Sequence, residues 1–217
     1  MYDMPMRFVY VFCISLFFTG TAHAYVPQIV VQESLHDITV IDDPELSQAF
    51  FGELQDFPHT YEIHADKSFT LYTQIRVPEL PASKNNVSGI IIKEQKKGRV
   101  EEVARFLALD AQWAVHKDAL IGEEYREGAQ FEKELGPGVY RLEVHTPDNL
   151  EKYILRVGKS EDMNIGYFEL LGRIIDVKRF YETSAFWMIV SPYAYVPLLV
   201  LTVLGGLWYL WRRKMVT

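Results

Sequence analysis

From Phe50 to Gly158 apolar and polar positions alternate in short runs. Phe69, Leu71, Thr73, Ile75 and Val77 fall on one side of a period-two pattern, with Thr70, Tyr72, Gln74 and Arg76 on the other. That is the signature of a strand with one buried face, and Pro78 and Pro81 end it. Ile90, Ile91 and Ile92 form a β-branched run closed by Lys96-Lys97-Gly98, a second strand and its turn. Gly136-Pro137-Gly138 punctuates the chain before Val139 to Val144 alternate again. Pro147-Asp148-Asn149 then turns it into Tyr153-Ile154-Leu155-Arg156-Val157. Strands at this spacing predict a β-sandwich, with Phe69, Leu71, Ile75, Val77, Tyr140, Leu142, Val144 and Leu155 facing inward.

Two stretches break the alternation. Val100, Val103, Phe106 and Leu107 have helical spacing, yet Phe106, Ala108 and Leu109 ahead of Asp110 read equally as strand. A long connection here would cross one end of the sandwich, where such folds carry binding residues. Trp113, His116, Tyr125 and Arg126 are the candidate ligand-binding residues; the alternative is that Trp113 and Tyr125 plug that end. From Ile165 to Tyr181 the period changes. Tyr167, Leu170, Leu171, Ile174 and Tyr181 share one face while Arg173, Asp176, Lys178 and Arg179 take other positions, which predicts an amphipathic helix over 164–182. Phe168, Leu171, Ile174 and Ile175 are its candidate docking residues, on a membrane surface or a partner. Packing on the sandwich is the competing reading.

No charged residue stands between Glu182 and Arg212, and Arg212-Arg213-Lys214 follow at once. This is a stop-transfer pattern. A transmembrane helix is expected over 191–211, with Trp187, Tyr193 and Tyr195 near one end, Trp208, Tyr209 and Trp211 at the other, and a cytoplasmic tail at 212–217. Pro197 should kink it mildly. At the opposite end Arg7 precedes an apolar run from Phe8 to Phe18, and Ala22-His23-Ala24 resembles a cleavage site. Residues 1–24 are read as a signal peptide, an uncleaved anchor being the alternative. The expected product is a type I single-pass protein of the cell membrane with its ectodomain outside.

Charge and composition narrow the partners. Residues 25–183 hold 18 Lys+Arg against 28 Asp+Glu, an acidic balance that argues against nucleic acid or anionic lipid as the main partner. The single cysteine, Cys13, lies in the leader, so the mature chain would have neither disulfides nor thiol chemistry. His59 and His64 point to opposite faces of a strand and cannot share a metal. Asp42-Asp43 and Glu101-Glu102 do not form a calcium loop, and no phosphate loop, nucleophile elbow or zinc-protease helix is present. No catalytic residue, cofactor or metal is expected.

Gly52-Glu53-Leu54, Tyr61-Glu62-Ile63, Ser68-Phe69-Thr70-Leu71-Tyr72 and the run Leu135-Gly136-Pro137-Gly138-Val139-Tyr140-Arg141-Leu142-Glu143-Val144 ahead of Tyr153-Ile154-Leu155 resemble the bacterial pre-peptidase C-terminal domain. The resemblance implies a small jelly-roll sandwich and brings no catalytic residue. One position departs: the aspartate that family usually carries ahead of its first aromatic strand position is His59 or Thr60 here. The expected architecture is therefore mainly β: an extended segment at 25–47, a jelly-roll-like β-sandwich at 48–158, the amphipathic juxtamembrane helix, and the span. Two functions are expected to compete. One is a non-enzymatic accessory or structural module of an envelope protein complex. The other is a surface module that binds carbohydrate or peptide through the loop around Trp113 and Tyr125.

Overall fold

The computed structural model describes residues 25–160 and 165–215. The alternating runs form strands β1 (Val26–Val30), β2 (Ile38–Val40), β3 (Gln48–Glu53), β4 (His59–Ala65), β5 (Phe69–Pro78), β6 (Ser88–Glu94), β7 (Val100–Phe106), β8 (Ala114–Lys117), β9 (Glu124–Leu135), β10 (Gly138–His145) and β11 (Lys152–Val157). Helices α1 (Tyr167–Phe180) and α2 (Pro192–Met215) follow. One sheet has the order β1-β3-β11-β5-β9-β8, the other β2-β4-β10-β6-β7. Only β1 with β3 and β2 with β4 run parallel among the described pairs. The eight residues expected to face inward are all buried in one cluster between the sheets. Register explains this: Leu142 lies opposite Tyr61 on one side and Ile91 on the other, so one apolar face continues across three strands.

The segment 25–47 contributes one edge strand to each sheet, and a bridge from Leu46 to Ser160 ties its end to the last strand. Between 100 and 128 the chain forms β7, a 3-10 turn at Ala108–Asp110, β8 and the start of β9, joined by the loops 111–113 and 118–123, with no α-helix among the described residues. Its misleading period has a local cause. Ile91 pairs with Ala104 but Ile92 pairs with Glu102, so Val103 is an inserted residue in a bulge that shifts the alternation of β7 by one.

Helix α1 is amphipathic as expected, and it lies on the outer face of the six-stranded sheet. Leu170, Ile174, Val177 and Tyr181 join Ala49, Phe51 and Ile154 in a second buried cluster. Helix α2 is continuous, with Pro197 inside it. Nevertheless, among the described residues no helix is long and apolar enough to cross a membrane, which overturns the expected transmembrane helix. Its 24 residues would reach ~36 Å at 1.5 Å per residue, so length is not what fails. Apolar density is: Pro197, Thr202, Gly205 and Gly206 interrupt the leucines, and the basic residues Arg212, Arg213 and Lys214 belong to the same helix. The architecture is thus a β-sandwich with two C-terminal helices. The leader expected at 1–24 lies outside the described residues.

Candidate functional site

A group of polar side chains is buried beneath α1, where sequence periodicity placed solvent. Arg76 is on the outward-facing side of β5, yet it is 5% exposed. Its Nε donates to Gln74 Oε1 at 2.8 Å, one guanidinium nitrogen meets Glu127 Oε1 at 3.0 Å, and its carbon sits 4.3 Å over the Tyr125 ring. Lys178 of α1 is 1% exposed and forms a 2.6 Å ion pair with Glu123, whose same oxygen accepts from Thr183 Oγ1 at 3.2 Å. Tyr25 OH donates to Asp118 Oδ2 at 2.8 Å. The other oxygen of Asp118 accepts from the backbone N–H groups of Leu120 and Ile121 at 2.8 and 3.1 Å. Ser191 Oγ donates to the Leu120 carbonyl at 2.6 Å, fixing the start of α2 to the same loop.

Burial, reinforced by the Asp118 charge, holds the hydroxyls of Tyr25 and Tyr181 well above the usual phenol range. Both therefore stay neutral at any physiological pH. The cluster pairs Arg76 with Glu127 and Lys178 with Glu123, and it satisfies Asp118 by a hydroxyl and two backbone N–H groups, which is how charges persist in a low-dielectric interior. It clamps α1, the loop 118–123 and the N-terminal strand into one body. The sequence carried one signal for it: Asp118 two residues before the apolar pair Leu120-Ile121, with Gly122 after, is an Asx-turn pattern.

A second polar group lies inside the sandwich. His59 Nδ1 is 2.8 Å from Tyr153 OH, which is 2.7 Å from Tyr61 OH, and all three residues are fully buried. The chain of bonds spans the two sheets. Gly52 makes room for it, because a Cβ there would stand 2.6 Å from the Tyr153 ring. Burial lowers the His59 pKa to about 4. His59 Nε2 has no partner among the described residues, so the neutral ring is the form the core accepts. His64, at the exposed end of β4, instead meets Glu62 at 2.6 Å.

The candidate binding residues do not converge. Trp113 packs against the main core, and its Nε1 donates to the Ala108 carbonyl at 2.8 Å. Tyr125 is buried in the second cluster, while His116 stacks on its ring at 6.0 Å from the edge strand β8. Arg126 binds Glu79 at 2.6 Å and also reaches Asn85 and the Ser83 carbonyl. Of the candidate docking residues, Ile174 is fully buried against the sheet, Leu171 and Ile175 are half-buried, and Phe168 is 85% exposed. Among the described residues no group of three or more His, Cys, Asp or Glu side chains could hold a metal ion.

The geometry defines a two-sheet β-sandwich whose outer face carries a helix. It is similar to the pre-peptidase C-terminal domain of a collagenase from Bacillus anthracis, at 15% identity over 58% of this chain and 98% of that chain, with a TM-score of 0.35. It is also similar to part of a β-glucosidase from Paenibacillus barengoltzii, at 13% identity over 61% of this chain and 13% of that chain, with a TM-score of 0.26. No family model and no curated protein matches. The domain resemblance read from the residues is thus also what the comparison of structures returns.

Proposed function

We infer that this protein is a non-enzymatic accessory module of an envelope protein complex, attached to its partner through α2. The observation that carries this reading is the state of that helix. Leu198, Leu199, Leu201, Leu204, Trp208 and Tyr209 are all exposed. The main neighbour of α2 within the chain is the short 3-10 turn Ala185–Val190 that directly precedes it. Exposed leucines and aromatics grouped on one helix belong in contact with another surface, since each fully buried leucine contributes roughly 1.5–3 kcal/mol. The clamp beneath α1 supports the reading too. Ser191 bonded to Leu120, and Tyr167 OH bonded to the Tyr193 carbonyl at 2.7 Å, fix where α2 departs from the sandwich. The leader-like residues 1–24 favour an extracytoplasmic site of action.

The test uses the full-length protein in native extracts. Leu201→Asp/Leu204→Asp should shift it from a large assembly to the size of the free chain while the sandwich stays folded by circular dichroism. An unchanged assembly would refute attachment through α2.

A further inference from the structure

The six-stranded sheet has a step in its outer margin. Strand β8 pairs with Glu124 to Glu127 of β9 and stops there, whereas β9 continues to Leu135, paired with β5 on its other side. Among the described residues no backbone hydrogen bond reaches the outer edge of β9 from Gly128 onward. Trp113 creates the step. With φ at +50° it turns the chain away just before β8 begins, and its ring lies against Gly128, where a Cβ would be 2.7 Å from it. The chain ahead of Ala114 therefore leaves the edge instead of running along it.

At the step is an open cavity of about 530 Å³, lined by Gly128, Ala129 and Gln130 of β9 and by Phe106 and Leu107 at the end of β7. Gln74 also lines it. This residue is 5% exposed, and its Oε1 accepts from Arg76 at 2.8 Å. The two sides of the edge differ in chemistry. Toward the core stand Phe131 and Phe106, ring centroids 5.9 Å apart. Away from it stand Glu132, which Lys159 meets at 2.6 Å, and Glu134, exposed and without an ion pair among the described residues. Lys133 alternates with these glutamates and points to the opposite side.

We propose that the outer edge of β9 from Gly128 to Leu135 is a strand-addition site for an extended partner peptide that alternates apolar and basic residues. Backbone pairing continues the sheet past β8, apolar side chains enter beside Phe106 and Phe131, and basic ones face Glu132 and Glu134. A second copy of this chain fits poorly, because pairing two β9 edges brings glutamates opposite glutamates. This site is independent of attachment through α2.

The test is fluorescence anisotropy of the full chain with a labelled decapeptide alternating valine and lysine. Saturable binding is expected, lost when alternate amides along one edge of the peptide are N-methylated and kept when the other set is. Glu134→Lys should weaken it about tenfold and improve binding of a valine–glutamate peptide. Absence of saturable binding, equal binding of both methylated peptides, indifference to Glu134→Lys, or self-association through β9 would each overturn the proposal.

Discussion

The two buried clusters of this molecule are built on opposite principles. Between the sheets, twenty apolar or aromatic side chains are buried and the one polar chain, His59–Tyr153–Tyr61, is neutral. Beneath α1 the apolar cluster is half that size, and it is threaded by charges: Arg76 with Glu127, Lys178 with Glu123, and Asp118 under Tyr25. Area removed from water holds the first, without dependence on any one residue's charge. The second relies on pairs, each of which is safe only while both members are present. The sandwich should therefore tolerate salt and fail by cavities, whereas the helix that aims α2 should fail by single charge deletions.

The largest effect is expected in the sandwich. Leu142→Ala, at a position 1% exposed, should cost ~2–5 kcal/mol in urea unfolding, the range for a leucine that leaves a cavity. A cost below ~0.5 kcal/mol, the level of a surface change, would mean that the packed face is elsewhere. Lys178→Met should come next, at ~3 kcal/mol, the low end for a broken buried pair because Glu123 is partly exposed. Adding Glu123→Gln should recover more than half of that loss, since no uncompensated charge then remains. If the double variant is as unstable as the sum of the two singles, the pair is not coupled and the contrast between clusters fails.

A pH series sharpens the same contrast. The folded-state pKa of His59 is about 4, below the ~6.5 of an exposed imidazole, so between these values the unfolded chain binds a proton that the folded one refuses. The resulting stability is complete above pH ~6.5 and is lost as pH falls toward the folded value, by about 3 kcal/mol in all. His59→Gln should flatten the difference between pH 7 and pH 5; an unaltered slope would place the titrating group elsewhere. The smallest effect is Phe168→Ser at an exposed position, within ~0.5 kcal/mol by thermal unfolding. A larger loss would show that Phe168 belongs to the second cluster.

What the sequence disclosed follows the same division. Period-two runs placed the main core correctly because a sheet with one dry face leaves no other arrangement for Phe69, Leu71, Ile75 and Val77. The bulge at Val103 hid β7, since one inserted residue is enough to imitate a helical period. Arg76 and Lys178 read as solvent-facing because periodicity assigns faces and does not reveal that a helix later covers one of them. The same blindness affected the candidate site: Trp113 and Tyr125 were read as ligand-binding candidates, and their neighbours Gly128 and Arg76 come from elsewhere in the sequence. The C-terminal stretch was read from its lack of charge, which says nothing about the glycines, threonine and proline that dilute its apolar surface.

The central claim is that the charge-threaded cluster under α1 is a unit distinct from the sandwich it rests on, and amide hydrogen exchange on full-length Lys178→Met tests it most directly. The account predicts faster exchange confined to Tyr167–Phe180 and to the loop 118–123, with β4, β10 and β11 exchanging as in the wild type. Uniform acceleration through all the core strands would contradict it, because the two clusters would then open together as one.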